Sequence, residues 1–270
     1  MNQNNKNSLD SFKKDCENLK NSSLYIKNWI QSQSAVKEES ITDWLLFDIS
    51  KKIPRIKYKA FSRIEEARKT GADWEWWFLF PEFSFKMRIQ AKKLTPNFDH
   101  YSSLIYTNQY GLQIDKLLND SLQDDFMPLY AFYTAEKCSV MCRNQINEEG
   151  VYLAGGHTVY NEFILNGKKQ IKTSDIIKFT NALSCIFCCP MQSKEGFVEY
   201  FQKYYNSEFT SQNKQNDNLK NKIPGYDTKI PSYITSFVEH FKEGLPDWWE
   251  KEFHHAVSNI KALVVYDVRE

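Results

Sequence analysis

Residues 72–94, ADWEWWFLFPEFSFKMRIQAKKL, decide the fold. A dense aromatic run over 73–80 is followed by the loop PEFS and by an alternating run over 85–94. In an extended chain this alternation places two sets of side chains on opposite faces: Met87, Ile89 and Ala91 on one, Arg88, Gln90 and Lys92 on the other. The segment therefore predicts a β-hairpin.

Further patterns surround the hairpin. Apolar residues at helical spacing predict a helix over 38–51 that Pro54 ends, and basic and apolar residues alternate over 56–63 as in a strand. Downstream, 111–119 predicts a helix and 128–133 a buried strand. The order of helix, three strands, helix and strand predicts an α/β (α+β) fold with a mixed sheet flanked by helices.

The patterns are weaker outside residues 23–135. Residues 1–22 are rich in Asn, Lys and Ser and predict a flexible N-terminal segment. Residues 136–270 predict an accessory, mainly helical C-terminal region packed on the core. Within it we expect helices over 175–189 and 197–205, a mobile loop over 206–222 with almost no apolar residues, and a strand over 262–268.

Composition excludes whole classes of protein. Hydrophobic residues make up 41% of the 270 positions, and no stretch approaches the roughly 20 apolar residues of a membrane span, so neither a disordered tail nor a membrane protein is expected. The N-terminus has no apolar core of the signal-peptide kind, which favours the cytoplasm. The six cysteines are then expected to be thiols, because their spacing is unlike a secreted disulfide framework.

The net charge of +1 conceals a basic segment. Residues 51–69 contain eight basic and two acidic side chains, a local net charge of +6. Such a segment supplies either phosphate contacts to a nucleic acid or a solvated basic face.

Polar residues cluster where the hairpin strands start and finish. Asp73 opens the first strand and Gln90-Ala91-Lys92 closes the second, so a hairpin brings them to one sheet edge. A carboxylate, an amide and a backbone carbonyl offer oxygen ligands to Mg²⁺, and the Lys92 ammonium can stabilise phosphate charge. Glu38 and Glu75 can add carboxylates. Alternatively, Asp73 caps a strand and Lys92 is a surface residue.

Asp73 and the triplet Gln90-Ala91-Lys92, on this order of elements, resemble the PD-(D/E)XK superfamily of restriction-endonuclease-like nucleases, with the triplet as a variant (E/Q)xK motif. The resemblance covers about residues 38–133. The segments GADWEWW and MRIQAKKL also resemble an uncharacterised bacterial family. The resemblance implies an αβββαβ core and an endonuclease that uses Mg²⁺ or Mn²⁺ on DNA in preference to RNA, in defence against phage or foreign DNA.

Roles follow from the motif and the charges. The predicted catalytic residues are Asp73, Gln90, Lys92, Glu38 and Glu75, of which Asp73, Gln90 and Glu38 are predicted metal ligands. The predicted nucleic-acid-binding residues are Lys57, Lys59, Arg63, Arg88, Lys93 and Gln113. A homodimer would suit double-strand cleavage.

Two alternatives remain open. Gln90 stands where most active members carry Glu, which favours a catalytically inactive nucleic-acid-binding or interaction protein on the same fold. An RNA nuclease would share the same site.

Overall fold

The computed structural model describes residues 3–61, 71–94, 103–108, 111–136, 138–139, 146–168, 171–189, 194–208, 223–256 and 260–269. Its helices are α1 Gln3–Ser32, α2 Glu38–Lys52, α3 Gln113–Asp124, α4 Gly156–Val159 with a π-helical continuation over Tyr160–Leu165, α5 Thr173–Ile177, α6 Cys185–Cys188, α7 Lys194–Tyr204, α8 Ser232–His240 and α9 Asp247–Ala256, with a 3₁₀ turn at Ser103–Ile105. Its strands are β1 Ile56–Ala60, β2 Trp74–Leu79, β3 Ser84–Lys93, β4 Thr107–Asn108, β5 Gly111–Leu112, β6 Met127–Tyr133, β7 Cys138–Ser139, β8 Ile146–Asn147, β9 Val151–Gly155, β10 Asn181–Ala182, β11 Tyr226–Asp227 and β12 Ala262–Asp267.

A mixed, open sheet of eight strands organises the chain. Its order is β1-β12-β2-β3-β6-β9-β10, and β11 pairs with the start of β3. The predicted hairpin is confirmed: β2 and β3 are antiparallel, with Trp74 opposite Ile89 and Glu75 opposite Arg88. The predicted order of α2, β1, β2, β3, α3 and β6 is present, with a short unpredicted hairpin of β4 and β5 between β3 and α3.

The two faces of the sheet are covered by different helices. On one face, the Arg88 guanidinium donates to the carbonyl of Asp120 in α3 at 2.8 Å. On the other face, the Tyr133 and Thr42 hydroxyls lie 2.8 Å apart, which brings α2 against β6. Because side chains alternate along a strand, residues 88 and 133 mark opposite faces. The sheet is thus flanked by helices as predicted.

Residues 136–270 are not an accessory region packed on a finished core. β12 lies between β1 and β2, antiparallel to the first and parallel to the second, and β9 and β10 extend the opposite edge. All six residues of β12 are buried. The predicted boundary at residue 135 is therefore wrong, since the sheet is incomplete without the C-terminal strands.

The prediction of a flexible segment over 1–22 is also wrong, because α1 begins at Gln3. Its buried face combines Leu19, Ile26 and Ile30 with the small polar residues Ser22 and Ser23. The Ser23 hydroxyl accepts the Val151 amide at 3.0 Å, so polar residues serve as the contact with β9. The small polar residues of α1 therefore belong to its packed face against β9.

The prediction that every cysteine is a thiol is wrong for one pair, because a disulfide joins Cys16 of α1 to Cys188 of α6. Cys185 and Cys189 are thiols. A disulfide between positions 172 residues apart restricts the unfolded chain and ties α1 to the C-terminal half.

Two local predictions in the C-terminal half differ from the structure. The single helix expected over 175–189 is instead α5, the short strand β10 and α6. A buried Asn181 pairs with Leu153 of β9, which draws this stretch into the sheet. The helix expected over 197–205 is confirmed as α7. Of the loop expected over 206–222, residues 209–222 lie outside the described residues.

Aromatic side chains dominate the core. Trp74, Trp76 and Trp77 are all at most 1% exposed, as expected for hairpin packing. No helix in the described ranges has both the length and the apolar character needed to cross a bilayer.

Glu208 is a buried carboxyl that holds the start of α4. Its oxygens accept the backbone amides of His157 and Thr158 at 2.9 and 3.1 Å. Burial raises the pKa of Glu208 to about 8, against the pull of these donors. Folding therefore favours the protonated form.

This raised pKa predicts a pH-dependent stability. A carboxyl with a raised pKa in the folded state contributes stability that is full below its unfolded pKa and is lost as pH rises through about 8. We expect Glu208→Gln to remove this loss. The free energy of unfolding of the variant, relative to that of the wild type, should therefore be higher at pH 9 than at pH 5. Urea unfolding at both pH values measures the difference. A constant difference between the two proteins would contradict the prediction.

Candidate functional site

The candidate site lies at one edge of the sheet. β2 begins there and its antiparallel neighbour β3 ends there. β12, parallel to β2, also begins there, and β6, parallel to β3, ends there. The topology thus gathers residues 73, 90–92 and 261 from three strands.

Asp73 is held rigidly just before β2. It is 5% exposed, and its amide donates to the Ile89 carbonyl at 2.8 Å. Its Oδ2 accepts the Ala91 amide at 2.7 Å and the side-chain amide of Gln90. The predicted contact between Asp73 and the Gln90-Ala91-Lys92 segment is present, and it leaves Oδ1 directed elsewhere.

Gln90 turns its NH₂ group to Asp73 and its Oε1 to Gln113. Gln113, the first residue of α3, donates to that Oε1 at 2.7 Å. The buried Oε1 of Gln113 has no hydrogen-bond partner among the described residues. Rotation of both side-chain amides by half a turn would exchange oxygen and nitrogen, bring the Gln90 oxygen to Asp73, and give the Gln113 oxygen a donor. In the orientation shown, the Gln90 NH₂ group also donates to the Ala91 carbonyl at 3.1 Å, so only the rotated pair would offer an oxygen to a cation beside Asp73.

Glu38 reaches the same edge from the start of α2. Its Oε2 accepts the Lys93 amide at 2.6 Å, and its Oε1 lies 3.7 Å from the Lys92 ammonium. Burial raises the pKa of the Glu38 carboxyl above its ordinary value, while Lys92 opposes the rise and Asp73 adds to it. A partly buried carboxyl with incomplete charge compensation is typical of functional sites.

Glu38 and Asp73 border a small acidic pocket. It is lined by Glu38, Glu39, Thr42, Asp43, Asp73 and Lys261. The carboxyl groups outnumber the single lysine, so the pocket attracts cations.

Lys261 is the functional candidate that sequence reasoning missed. Its ammonium lies 2.8 Å from Oδ1 of Asp73, and its amide donates to the Asp73 carbonyl at 2.8 Å. Its position follows from the register of β12, in which Ala262 pairs with Trp74. Parallel pairing of distant segments leaves no local signal in the sequence, so only the structure reveals this neighbour.

Glu75 does not join the site. It shares the strand face of Asp73, as predicted, but it is fully buried and accepts the Nε of Arg88 at 3.0 Å. Two residues along a strand carry it about 7 Å from Asp73, under α3. The prediction that Glu75 supplies a missing ligand charge is wrong, because the Glu75 carboxylate forms an ion pair with Arg88.

The predicted nucleic-acid-binding residues that the structure describes do not form a common surface. Arg88 and Lys57 are buried, at 1% and 5% exposure, so their predicted contacts with a nucleic acid are wrong. Lys59 pairs with Glu250 at 2.9 Å, and the Lys93 ammonium donates to the carbonyls of Ser34 and Val36. Gln113 contacts Gln90 rather than solvent, and Arg63 lies outside the described residues.

Comparison with known proteins places the chain in one family. The model of a family of unknown function (DUF6615) matches residues 15–266. The chain belongs to the DUF6615 family. The matched span includes every residue that the structure places at this sheet edge, from Glu38 to Lys261. No curated protein and no solved structure matches the DUF6615 chain.

With the Gln90 amide rotated, three side chains of this site would offer oxygen ligands to a divalent cation. Within the described ranges, no group of three or more His, Cys, Asp and Glu side chains is arranged to hold a metal ion. The fit rests instead on two carboxylates, Asp73 and Glu38, and on the Gln90 oxygen. Hard oxygen donors of this kind suit Mg²⁺, which keeps several waters.

Proposed function

We propose that this protein is a metal-dependent nuclease that hydrolyses phosphodiester bonds, preferably in DNA, on a restriction-endonuclease-like core. One observation carries the proposal: Glu38, Asp73, Gln90 and Lys92 meet at one sheet edge although they come from three elements. Of these residues, Glu38 and Asp73 line the acidic pocket, and Gln90 and Lys92 contact them from β3. The superfamily resemblance adds the reaction type.

Asp73, Glu38 and Gln90 are the residues that would hold Mg²⁺ or Mn²⁺. The bound cation would polarise the phosphodiester and make a bound water more acidic. The backbone amides of Ala91 and Lys93 hold the Asp73 and Glu38 carboxylates in place.

Lys92 supplies a positive charge beside the scissile phosphate. It is 8% exposed and lies on the strand face of Gln90, with Glu38 as its ion-pair partner at 3.7 Å. An ammonium at that distance from a carboxylate can also contact a phosphate oxygen or orient a water. The preference for DNA, a role in antiviral defence and a homodimer rest on the resemblance.

Cleavage of plasmid DNA and of RNA by the purified protein tests the proposal. We expect DNA cutting with Mg²⁺ or Mn²⁺ and none with EDTA. Preferential RNA cutting under the same conditions would instead identify an RNA nuclease. Cutting that EDTA leaves unchanged would contradict a metal-dependent reaction.

A catalytically inactive nucleic-acid-binding protein is the second candidate. Two observations favour it: the Gln90 amide donates to Asp73, and Lys261 already neutralises that carboxylate. A protein that binds DNA without cutting it at any divalent-cation concentration would support this candidate.

A further inference from the structure

Lys261 is built into the site by the backbone on both of its sides. Its amide donates to the Asp73 carbonyl, and its carbonyl accepts the Phe61 amide, each at 2.8 Å. The Lys261 side chain is 28% exposed and the Asp73 side chain 7%. Of the two paired groups, the Lys261 side chain is therefore the more accessible to solvent.

The two oxygens of Asp73 have separate partners. Oδ2 accepts hydrogen bonds from the Ala91 amide and the Gln90 side chain, whereas Oδ1 lies 2.8 Å from the Lys261 ammonium. A divalent cation bound through Oδ1 would meet this ammonium at close range. Two cations so close repel each other strongly in a partly buried site.

Resting on the proposed function, we propose that Lys261 competes with the divalent cation for Asp73 and yields its place when a phosphodiester is present. Lys261 is a positioning residue in this scheme. A displaced ammonium can pair with a substrate phosphate, which adds an anion to the carboxylates of Glu39 and Asp43 that already line the pocket. Metal binding and substrate binding then strengthen each other by the same factor, as linkage requires.

Mn²⁺ titration of the full chain, without substrate, tests the competition. We expect Lys261→Met to bind Mn²⁺ about tenfold more tightly, because it removes a unit charge next to a ligand oxygen. Lys261→Arg keeps the charge and should resemble the wild type. Lys178→Met is the matched control, because Lys178 pairs with Asp175 at 3.3 Å elsewhere on the surface. The gain should vanish in the double variant Asp73→Asn, Lys261→Met.

A phosphorothioate DNA duplex that resists cleavage tests the coupling. We expect it to tighten Mn²⁺ binding in the wild type, and to do so less in Lys261→Met, which has no ammonium to pair with the duplex phosphate. Equal Mn²⁺ affinity of Lys261→Met and the wild type, or an undiminished duplex effect, overturns this inference alone. Absence of any Asp73-dependent Mn²⁺ binding overturns the proposed function together with it.

Discussion

Asp73→Asn is expected to lower the cleavage rate about a thousandfold while the protein stays folded. The expected loss follows from charge: a metal ion contributes several kcal/mol of transition-state stabilisation, and each 1.36 kcal/mol is a factor of ten in rate. Asn has nearly the volume of Asp, and its oxygen can still accept the Ala91 amide. The variant thus removes the ligand charge and keeps the packing.

Lys92→Ala should be similarly inactive for a different reason. It removes the ammonium from the strand face of Gln90 and leaves both carboxylates in place. Mn²⁺ binding should therefore survive in Lys92→Ala and be lost in Asp73→Asn. Asp175→Asn is the matched control, because Asp175 pairs with Lys178 on the surface. This variant should cleave at the wild-type rate.

Thermal unfolding and circular dichroism of each variant separate inactivity from misfolding. Equal background cutting by wild type, Asp73→Asn and Lys92→Ala would show that the cutting belongs to a contaminant. That outcome would move the assignment to the nucleic-acid-binding candidate.

The site was predictable from the sequence to the extent that its geometry is local. The alternation of 85–94 sets which residues share a strand face, and a short hairpin then brings Asp73 to Gln90. Glu38 was found because α2 precedes the hairpin and begins with acidic residues. The hairpin part of this inference needs only two strands that are adjacent along the chain.

Lys261 and β12 lay beyond such reasoning. An apolar run over 262–267 predicts a strand, but it does not say which strand will pair with it. Its insertion between β1 and β2 depends on pairs such as Ile56 with Tyr266 and Trp74 with Ala262, which are far apart in the sequence. The prediction of an accessory C-terminal half failed for that reason.

Charge also misled the sequence interpretation of Arg88 and Glu75. Both residues alternate with apolar neighbours, as residues on a solvated face do, yet α3 covers this face. Burial makes the predicted catalytic carboxylate, Glu75, and the predicted nucleic-acid contact, Arg88, an internal ion pair. Only a partner that comes later in the chain distinguishes the two cases.

Arg88→Met is expected to lower the free energy of unfolding by about 3–5 kcal/mol, the usual cost of leaving a buried charge without its partner. Glu75 is 0% exposed, and Arg88 is its ion-pair partner at 3.0 Å. Burial raises the pKa of Glu75, against the attraction of Arg88. Without Arg88 we expect protonation of Glu75, so the variant should lose stability as pH rises. Urea unfolding at pH 5 and pH 8 measures this. Lys52→Met, which breaks an exposed pair with Asp48, should cost at most about 1 kcal/mol.

A double variant separates the buried charge from the packing. Glu75→Leu together with Arg88→Met removes both charges, and such replacements are often neutral, so it should be more stable than Arg88→Met alone.

Arg88 also contacts the Asp120 carbonyl and the Asp124 carboxylate, which fixes the end of α3 to β3. Because α3 begins with Gln113, the partner of Gln90, loosening this end should also weaken Mn²⁺ binding at the other. Full Mn²⁺ affinity in the folded double variant would show instead that the Gln113–Gln90 contact holds α3 by itself.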